Sequence, residues 1–435
     1  MAKDNSGHIY LNGYYAGTLN FKGVSYPNNG GSDSFVVKIN ASTREVVWLK
    51  TFGGTSSDYP NGLVVNEDDE VFFSMGISSA TVMIDGFTVN KTAGVNDEIV
   101  LMKLDSRGTA MWVKQVTSTS AGSRVYANGL GIDSDGNAYL AGYSNGTLLN
   151  LGGGNTQARI AGKEGFFAKY SGSTGDVIWH KFVGGIGLDD QILNITVDKN
   201  DNIIVAGLFQ ASVDRGDGTL LTSSNYDILM QKYNKAGVHQ WSQTFPAAAG
   251  FVWPTTLITD SSGNVLLGLG FENDILVGGV TYTAADDASH LFGKFSGTDG
   301  SSIWAKQLDV IGDYDWGLSL QVDQSGNIYV LGESDNSLDL GGTIITPSAG
   351  KEAIYLAKYD ASGDLIWGRS WEGIAAGTGN GYYSDNMFLV LDDGRLVFHG
   401  WYKTEMELAG EKLNAAGTDW AGFVAFIDED GQDHL

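Results

Sequence analysis

The sequence contains no cysteine and only 5 prolines in 435 residues. No disulfide can hold this fold, so burial and hydrogen bonding must do so, and the redox compartment stays open. No apolar run approaches the roughly 18 residues of a membrane-spanning helix, so direct membrane insertion is not expected. Cations are scarce. Lys and Arg number 26 against 51 Asp and Glu, a formal net charge of −25. Such a surface is repelled by polyanions and anionic bilayers, which argues against nucleic acid as a partner. It suits a secreted or cell-surface protein and is compatible with bound Ca2+, although solvated acidic loops account for it too. A His-Glu-x-x-His motif and a phosphate loop are both missing. The first residues, Met1-Ala2-Lys3-Asp4, show no signal peptide and enter a turn at once, as expected of a segment cut from a longer chain whose targeting sequence lies elsewhere.

What is abundant is glycine, 61 residues, together with 11% aromatics. Glycine at that level without proline-rich tracts implies many tight turns. The length exceeds the roughly 250–300 residues at which a single core stops growing, so the chain must divide its core. Tryptophan gives the register of that division. Trp48, Trp112, Trp179, Trp241, Trp304 and Trp367 are spaced by 64, 67, 62, 63 and 63 residues.

Other phrases recur in step. DGNAYLAG (135–142) has seven relatives of the same form, counting itself. FFAK (166–169) is one of six apolar strands ending in Lys, and a seventh copy ends in Phe426. GLGID (129–133) is one of six that precede a turn. Short runs of β-branched and aromatic residues, bounded by Gly, Asp, Asn and Ser, are strands. Four strands per unit, here named A (GLGID), B (NAYLAG), C (FFAK) and D (the Trp strand), repeated radially make a β-propeller. The reading is all-β: a seven-bladed propeller of four-stranded antiparallel blades, with short extra hairpins between B and C. A single domain spans 1–435, with blades near 1–53, 54–117, 118–184, 185–246, 247–309, 310–372 and 373–435. The first strand A is a stub and the last strand D is missing, with GQDHL (431–435) as its remnant.

The combination Asp33-Ser34-Phe35-Val36-Val37-Lys38, Trp48, Phe52-Gly53-Gly54 and Asp58-Tyr59, with Asp323-Gln324-Ser325-Gly326-Asn327-Ile328-Tyr329-Val330-Leu331-Gly332 later, resembles the bacterial SBBP-type β-propeller repeat. The resemblance runs along essentially the whole chain. It implies a bacterial secreted or cell-surface location and no defined activity. Phe426 in place of Lys departs from the pattern.

A residue present in every blade is most simply a structural device, because one site does not need seven copies. The strand-D Trp and strand-C Lys therefore belong to the scaffold: Trp packs between sheets, and Lys covers apolar surface while its head meets an acid. Function is sought where blades differ, in loops. The D–A loops carry Asp58 and Tyr59, Tyr126, Asp190, Trp253, Asp315 and Trp316, and Tyr383. Aromatic platforms beside carboxylates suit sugars, since rings stack on C–H faces and carboxylates accept hydroxyl hydrogen bonds. Tyr59, Tyr126, Trp253, Trp316 and Tyr383 are the expected platforms, and Asp58, Asp190 and Asp315 the polar partners. The same aromatics could instead plug a channel or wedge between blades.

Catalytic signals are weak. Gly142-Tyr143-Ser144-Asn145-Gly146 matches a nucleophile elbow but ends a strand B with no helix to follow. The six histidines are scattered, and Asp133-Ser134-Asp135-Gly136-Asn137 lacks the spacing of a calcium loop. The expectation is a non-enzymatic, monomeric binding or adhesion module with no predicted cofactor. Its ligand is a glycan or a cell-surface protein at the D–A loops. A carbohydrate-active hydrolase or lyase, using a facing carboxylate pair, and a structural spacer are the alternatives.

Overall fold

Every repeated apolar phrase is a strand: strands B and C, such as Ala138–Ser144 and Glu164–Tyr170, are buried on both faces, and the intervening Gly, Asp and Asn supply tight turns. The computed structural model describes residues 1–158, 162–185, 189–285, 288–308, 318–373, 387–408, 411–414 and 420–428. Among these there is no helix. The chain is a seven-bladed β-propeller of small antiparallel sheets. Its strands A to D run through Ala2–Lys3, His8–Phe21, Val24–Asn40 and Val46–Phe52 in blade 1. In blade 3 they are Val125–Ile132, Ala138–Ser144, Glu164–Tyr170 and Val177–Val183. Blade 7 has three described strands, Phe388–Val390, Leu396–Lys403 and Trp420–Ile427. The two-residue first strand A is the expected stub; GQDHL lies outside the described residues. The residues fall into two compact units, Met1–Thr222 with Tyr233–His239, and Ser223–Lys232 with Gln240–Leu435.

The extra B–C segments are not uniform. Blades 2, 3, 5, 6 and 7 carry separate hairpins, such as Thr81–Ile84 with Phe87–Asn90. In blades 1 and 4 strands B and C simply lengthen into one long hairpin, so TLNFKGVSY is not the short hairpin expected. The blade 3 hairpin also hydrogen-bonds to strand D of blade 2, pairing Thr117 with Asn150 and Ser118 with Leu149. The blade 7 hairpin does the same to blade 6, through Gly373 and Met406. These hairpins cover part of an outer edge that would otherwise offer unpaired backbone.

The core is a series of packets between neighbouring sheets. One joins blades 2 and 3 through Phe72, Leu101, Trp112, Leu140, Phe166 and Tyr170. The recurrent Trp closes each packet. The indole Nε1 of Trp48, Trp112, Trp179, Trp241 and Trp304 donates to a backbone carbonyl in the next blade's C–D turn: Ser106 at 3.0 Å, Gly172 at 3.1 Å, Lys235 at 3.2 Å, Gly297 at 3.2 Å and Ala361 at 3.3 Å. A glycine of that same turn lies flat on the ring. A Cβ on Gly175 would come within 2.7 Å of Trp112, and Gly175 has φ +70°, so both contact and backbone demand glycine.

Inside each blade a second device repeats. Asp133 opens the A–B turn and accepts the Asn137 backbone N–H at 2.9 Å. Its other oxygen meets Lys169 Nζ of strand C at 2.7 Å and the Tyr139 hydroxyl at 2.9 Å. Burial alone would raise the Asp133 carboxyl. The bonds from Lys169, Asn137 and Tyr139 outweigh it and hold the group below its ordinary range. Asp4–Lys38, Asp260–Lys294 and Asp323–Lys358 repeat the pair at 3.1, 2.9 and 3.8 Å. Blade 2 inverts the side chains of its turn: Asn66 takes the first position, Glu70 the fifth, and Glu70 meets Lys103 at 2.6 Å. In blade 7 the whole set is replaced. Leu391 takes the turn position and Phe426 the Lys position, with Val397 across from Phe426 as Tyr139 is from Lys169. All three are buried, so the loss of Lys leaves no orphaned acid.

Two expectations follow. Lys169→Met strands a buried carboxylate and lowers stability by about 3–5 kcal/mol. Copying blade 7 into blade 3 (Asp133→Leu, Tyr139→Val and Lys169→Phe together) restores most of that loss in urea or thermal unfolding. Gly175→Ala lowers the unfolding temperature more than Gly7→Ala, since Gly7 shares the positive φ, +83°, but faces open space. Equal losses would mean that contact with the Trp112 ring adds nothing to the backbone strain of about 1–2 kcal/mol.

Candidate functional site

The loops joining D to A and B to C are held by buried acids. Asp58 begins strand A of blade 2 and is fully buried. Its Oδ2 accepts Gly54 N at 2.8 Å and Ser79 Oγ at 2.6 Å; its Oδ1 accepts Ser78 N at 3.0 Å and Ser79 N at 3.1 Å. Asp190 stands at the equivalent place before strand A of blade 4. Its Oδ2 accepts Gly185 N at 3.0 Å and its Oδ1 accepts Gln210 N at 3.1 Å. Each carboxyl thus clasps a D–A loop to the chain leaving strand B. The acceptor role expected of Asp58 and Asp190 toward a sugar is taken by the protein's own donors.

Burial, with the nearby Glu164 and Asp189 charges, pushes the Asp190 carboxyl up to about 6, against the lowering effect of Gln210 and Gly185. A Cβ on Gly184 would meet Asp190 Oδ2 at 3.4 Å and Glu164 Oε1 at 3.5 Å, so the two acids flank one loop residue. A raised carboxyl beside a second one is what a glycosidase uses. The couple is repeated elsewhere in the chain. Asp33 and Asp58 form a comparable buried couple between blades 1 and 2, where burial and then the Asp58 charge raise Asp33.

The aromatics separate into two kinds. Trp253 is 3% exposed. It lies across from Gly270 in the ladder, and a Cβ there would come within 2.3 Å of the indole. The missing side chain lets the ring fold down over the strand, so Trp253 is a wedge and not a platform. Tyr59 is 45% exposed and meets Tyr14, 46% exposed, edge-to-face at 5.1 Å. Tyr126 is half-buried, stacks on Tyr143 at 4.9 Å and accepts a hydrogen bond from Arg124 Nη1 at 2.9 Å. Asp315, Trp316 and Tyr383 lie outside the described residues.

Two exposed aromatics were missed by the sequence reading. Phe251, 59% exposed, stacks on Tyr226 at 6.2 Å. Tyr14 sits across from Ser34, at the end of the buried part of strand B. Both had a signal. Phe251 immediately precedes strand A, and Tyr14 follows the glycine that closes the strand-B phrase.

Phe251 and Tyr226 belong to a series. The residue one or two before strand A faces the residue before a buried acid of strand C in the preceding blade. In the first unit these pairs are Ser57 with Ser32, Arg124 with Asp97, and Asp189 with Lys163. In the second unit the pair is Phe251 with Tyr226. One structural position thus carries hydroxyls, a base–acid pair, an acid–base pair and two rings. Among the described residues no group of three or more His, Asp or Glu side chains is placed to hold a metal ion, and no helix is long and apolar enough to cross a membrane.

Comparison with known proteins agrees with this repeat. The SBBP β-propeller repeat matches at residues 112–150 and 303–339, each match beginning at the strand-D Trp or beside it. The chain carries SBBP β-propeller repeats. The regulatory protein FlaEY of Caulobacter vibrioides is 26% identical over 282 residues, covering 60% of this chain and 28% of its own length. The uncharacterized WD repeat-containing protein L264 of Acanthamoeba polyphaga mimivirus is 26% identical over 306 residues, covering 56% and 22%. The chain therefore spans less than a third of either curated relative. Among solved structures, an apocarotenoid oxygenase mutant from Synechocystis aligns at 10% identity over 98% of this chain and 87% of that one, with a TM-score of 0.45.

Asp190 yields a signed pH dependence. Its folded value, about 6, stands above its ordinary 3.8. Its favourable contribution is therefore complete below about pH 4 and is lost as the pH rises through 6, a difference on the order of 3 kcal/mol. Wild type should lose more stability between pH 4.5 and 7.5 than Asp190→Asn, in paired thermal melts. A variant with an unchanged pH slope would show that Asp190 ionises normally.

Proposed function

We propose that this SBBP-repeat propeller is a non-enzymatic extracellular or cell-surface binding module, with its ligand, a glycan or a protein, at the D–A and B–C loops. The observation that carries this reading is the contrast between constant and variable positions. The Trp–carbonyl bonds, the Lys–acid pairs and the loop clasps recur from blade to blade. The facing pairs Ser32/Ser57, Asp97/Arg124, Lys163/Asp189 and Tyr226/Phe251 occupy one position and differ in chemistry. A scaffold that holds different side chains at equivalent points is suited to recognition. Tyr14, Tyr59 and Phe251 keep about half their surface in solvent, which is unfavourable for large rings unless something covers them. The Caulobacter relative, 28% of whose length the match covers, bears a regulatory name. A surface of −25 suits an extracellular setting and accommodates Ca2+ as a bridging ion.

The test is a glycan array probed with Ca2+ and then with EDTA, beside a pull-down of surface proteins. Binding that falls at least tenfold in Tyr59→Ala or Phe251→Ala supports the placement; tenfold corresponds to about 1.4 kcal/mol. Loss in EDTA adds a metal bridge. Binding untouched by both substitutions overturns the placement, and turnover of a polysaccharide panel overturns the non-enzymatic assignment.

A further inference from the structure

Within the first unit the side chains at two neighbouring clefts form one unbroken row. Asp97 Oδ2 meets Arg124 Nε at 3.2 Å. Arg124 Nη1 donates to the Tyr126 hydroxyl at 2.9 Å. Tyr126 stacks on Tyr143 at 4.9 Å, with the rings 29° apart. Lys163 Nζ lies 5.6 Å from the Tyr143 ring centre and 3.1 Å from Asp189 Oδ2. Read along the row, the groups are acid, base, ring, ring, base and acid. Both cations are inside and both acids are at the ends.

That order has an electrostatic consequence. The four charges of the row sum to zero, and the two positive ones stand nearest the tyrosines, so a ligand at the rings meets them first. The buried Glu98, Glu164 and Asp190 adjoin Asp97, Lys163 and Asp189 in the chain, and negative charge farther away than about 8 Å is screened at physiological salt. Strand-C lysines such as Lys38, Lys103 and Lys169 are buried in their blades and cannot reach a ligand. Arg124 and Lys163 can, with side chains 48% and 36% exposed. Arg124 is held by two fixed acceptors, and its backbone by Asn145 through N–H···Oδ1 at 2.7 Å. It is therefore ordered before any ligand arrives, which lowers the entropic cost of binding. Tyr126 offers a ring face beside these cations, and a guanidinium suits a carboxylate in a way that a hydroxyl acceptor does not.

We propose that this row binds a saccharide bearing a carboxylate, with the sugar ring against the tyrosines and the acid group on the Arg124 guanidinium, Lys163 standing at the other end of the ring pair. The inference rests on the binding reading above and narrows it to an acidic glycan. Because the cations are already paired, the site is selective by placement of charge and weak in affinity.

The test is an array of uronate- and sialyl-terminated saccharides, their methyl esters and their neutral counterparts, followed by calorimetric titration of the strongest binder. Wild type should bind the acid at least tenfold more tightly than its methyl ester, a comparison that needs no variant. Arg124→Gln should weaken the acid at least tenfold, Lys163→Gln by less, and both should leave the ester unchanged. Lys412→Gln removes the same charge from an exposed pair with Glu405 elsewhere and should change nothing. Esters or neutral sugars bound as tightly as the acid would overturn this inference and leave the binding module standing. Acid binding indifferent to both substitutions would overturn the placement in the same way. No saccharide bound at all would overturn the inference and the glycan form of the binding reading together, leaving its protein-ligand form to the pull-down.

Discussion

An indole N–H pointed at a neighbour's turn carbonyl is the contact on which this architecture depends. A four-stranded sheet cannot bury its own faces, so each blade needs the next. Dispersion and apolar burial bring sheets together but do not set their register. The Trp does, because its donor must reach one carbonyl while its ring lies under one glycine. Five tryptophans make this bond within the two units, over a narrow range of 3.0 to 3.3 Å. Adding a Cβ to the glycine, or removing the indole, would disturb the same joint from opposite sides.

The Lys–acid pairs work within a blade, and their variation shows what is being conserved. A buried charge is tolerable only when its partner is present. Blade 2 keeps the balance by moving the acid from the first turn position to the fifth, so that Glu70 serves where Asp133 serves in blade 3. Blade 7 keeps it by deleting all the polar members at once, with Leu391, Val397 and Phe426. Phe426 alone reads as a break in the repeat. Beside Leu391 it is a consistent apolar solution to the same packing problem.

The loop acids had a meaning opposite to the one their composition suggests. Asp next to Tyr in a loop, as at Asp58-Tyr59, reads as a polar partner beside a platform. In the fold the two residues part company, because successive side chains of a strand point to opposite sides. Asp58 turns inward to four donors and Tyr59 turns outward to Tyr14. Trp253 is the complementary case. It is the largest ring in its loop, and the glycine across the ladder gave it somewhere to go. The more exposed ring is Phe251, two residues earlier.

Periodicity alone determined the class of fold. The Trp spacing, the turn residues and the strand phrases are local features, and six or seven copies of each reinforce one another, so the blades and most strand positions were legible. The structural role of Trp and Lys followed from their recurrence. Only the tertiary structure decided which loop residues face solvent, because that depends on a partner in another strand or blade. Gly270 decides for Trp253, Ser79 for Asp58, and Asp97 for Arg124. It also decided that Arg124, Tyr126, Tyr143 and Lys163, separated by up to 39 residues in the chain, stand in one row. No local pattern announces that row, since its four inner members meet only when strands A, B and C of blade 3 pair, and its end acids Asp97 and Asp189 come from the neighbouring blades.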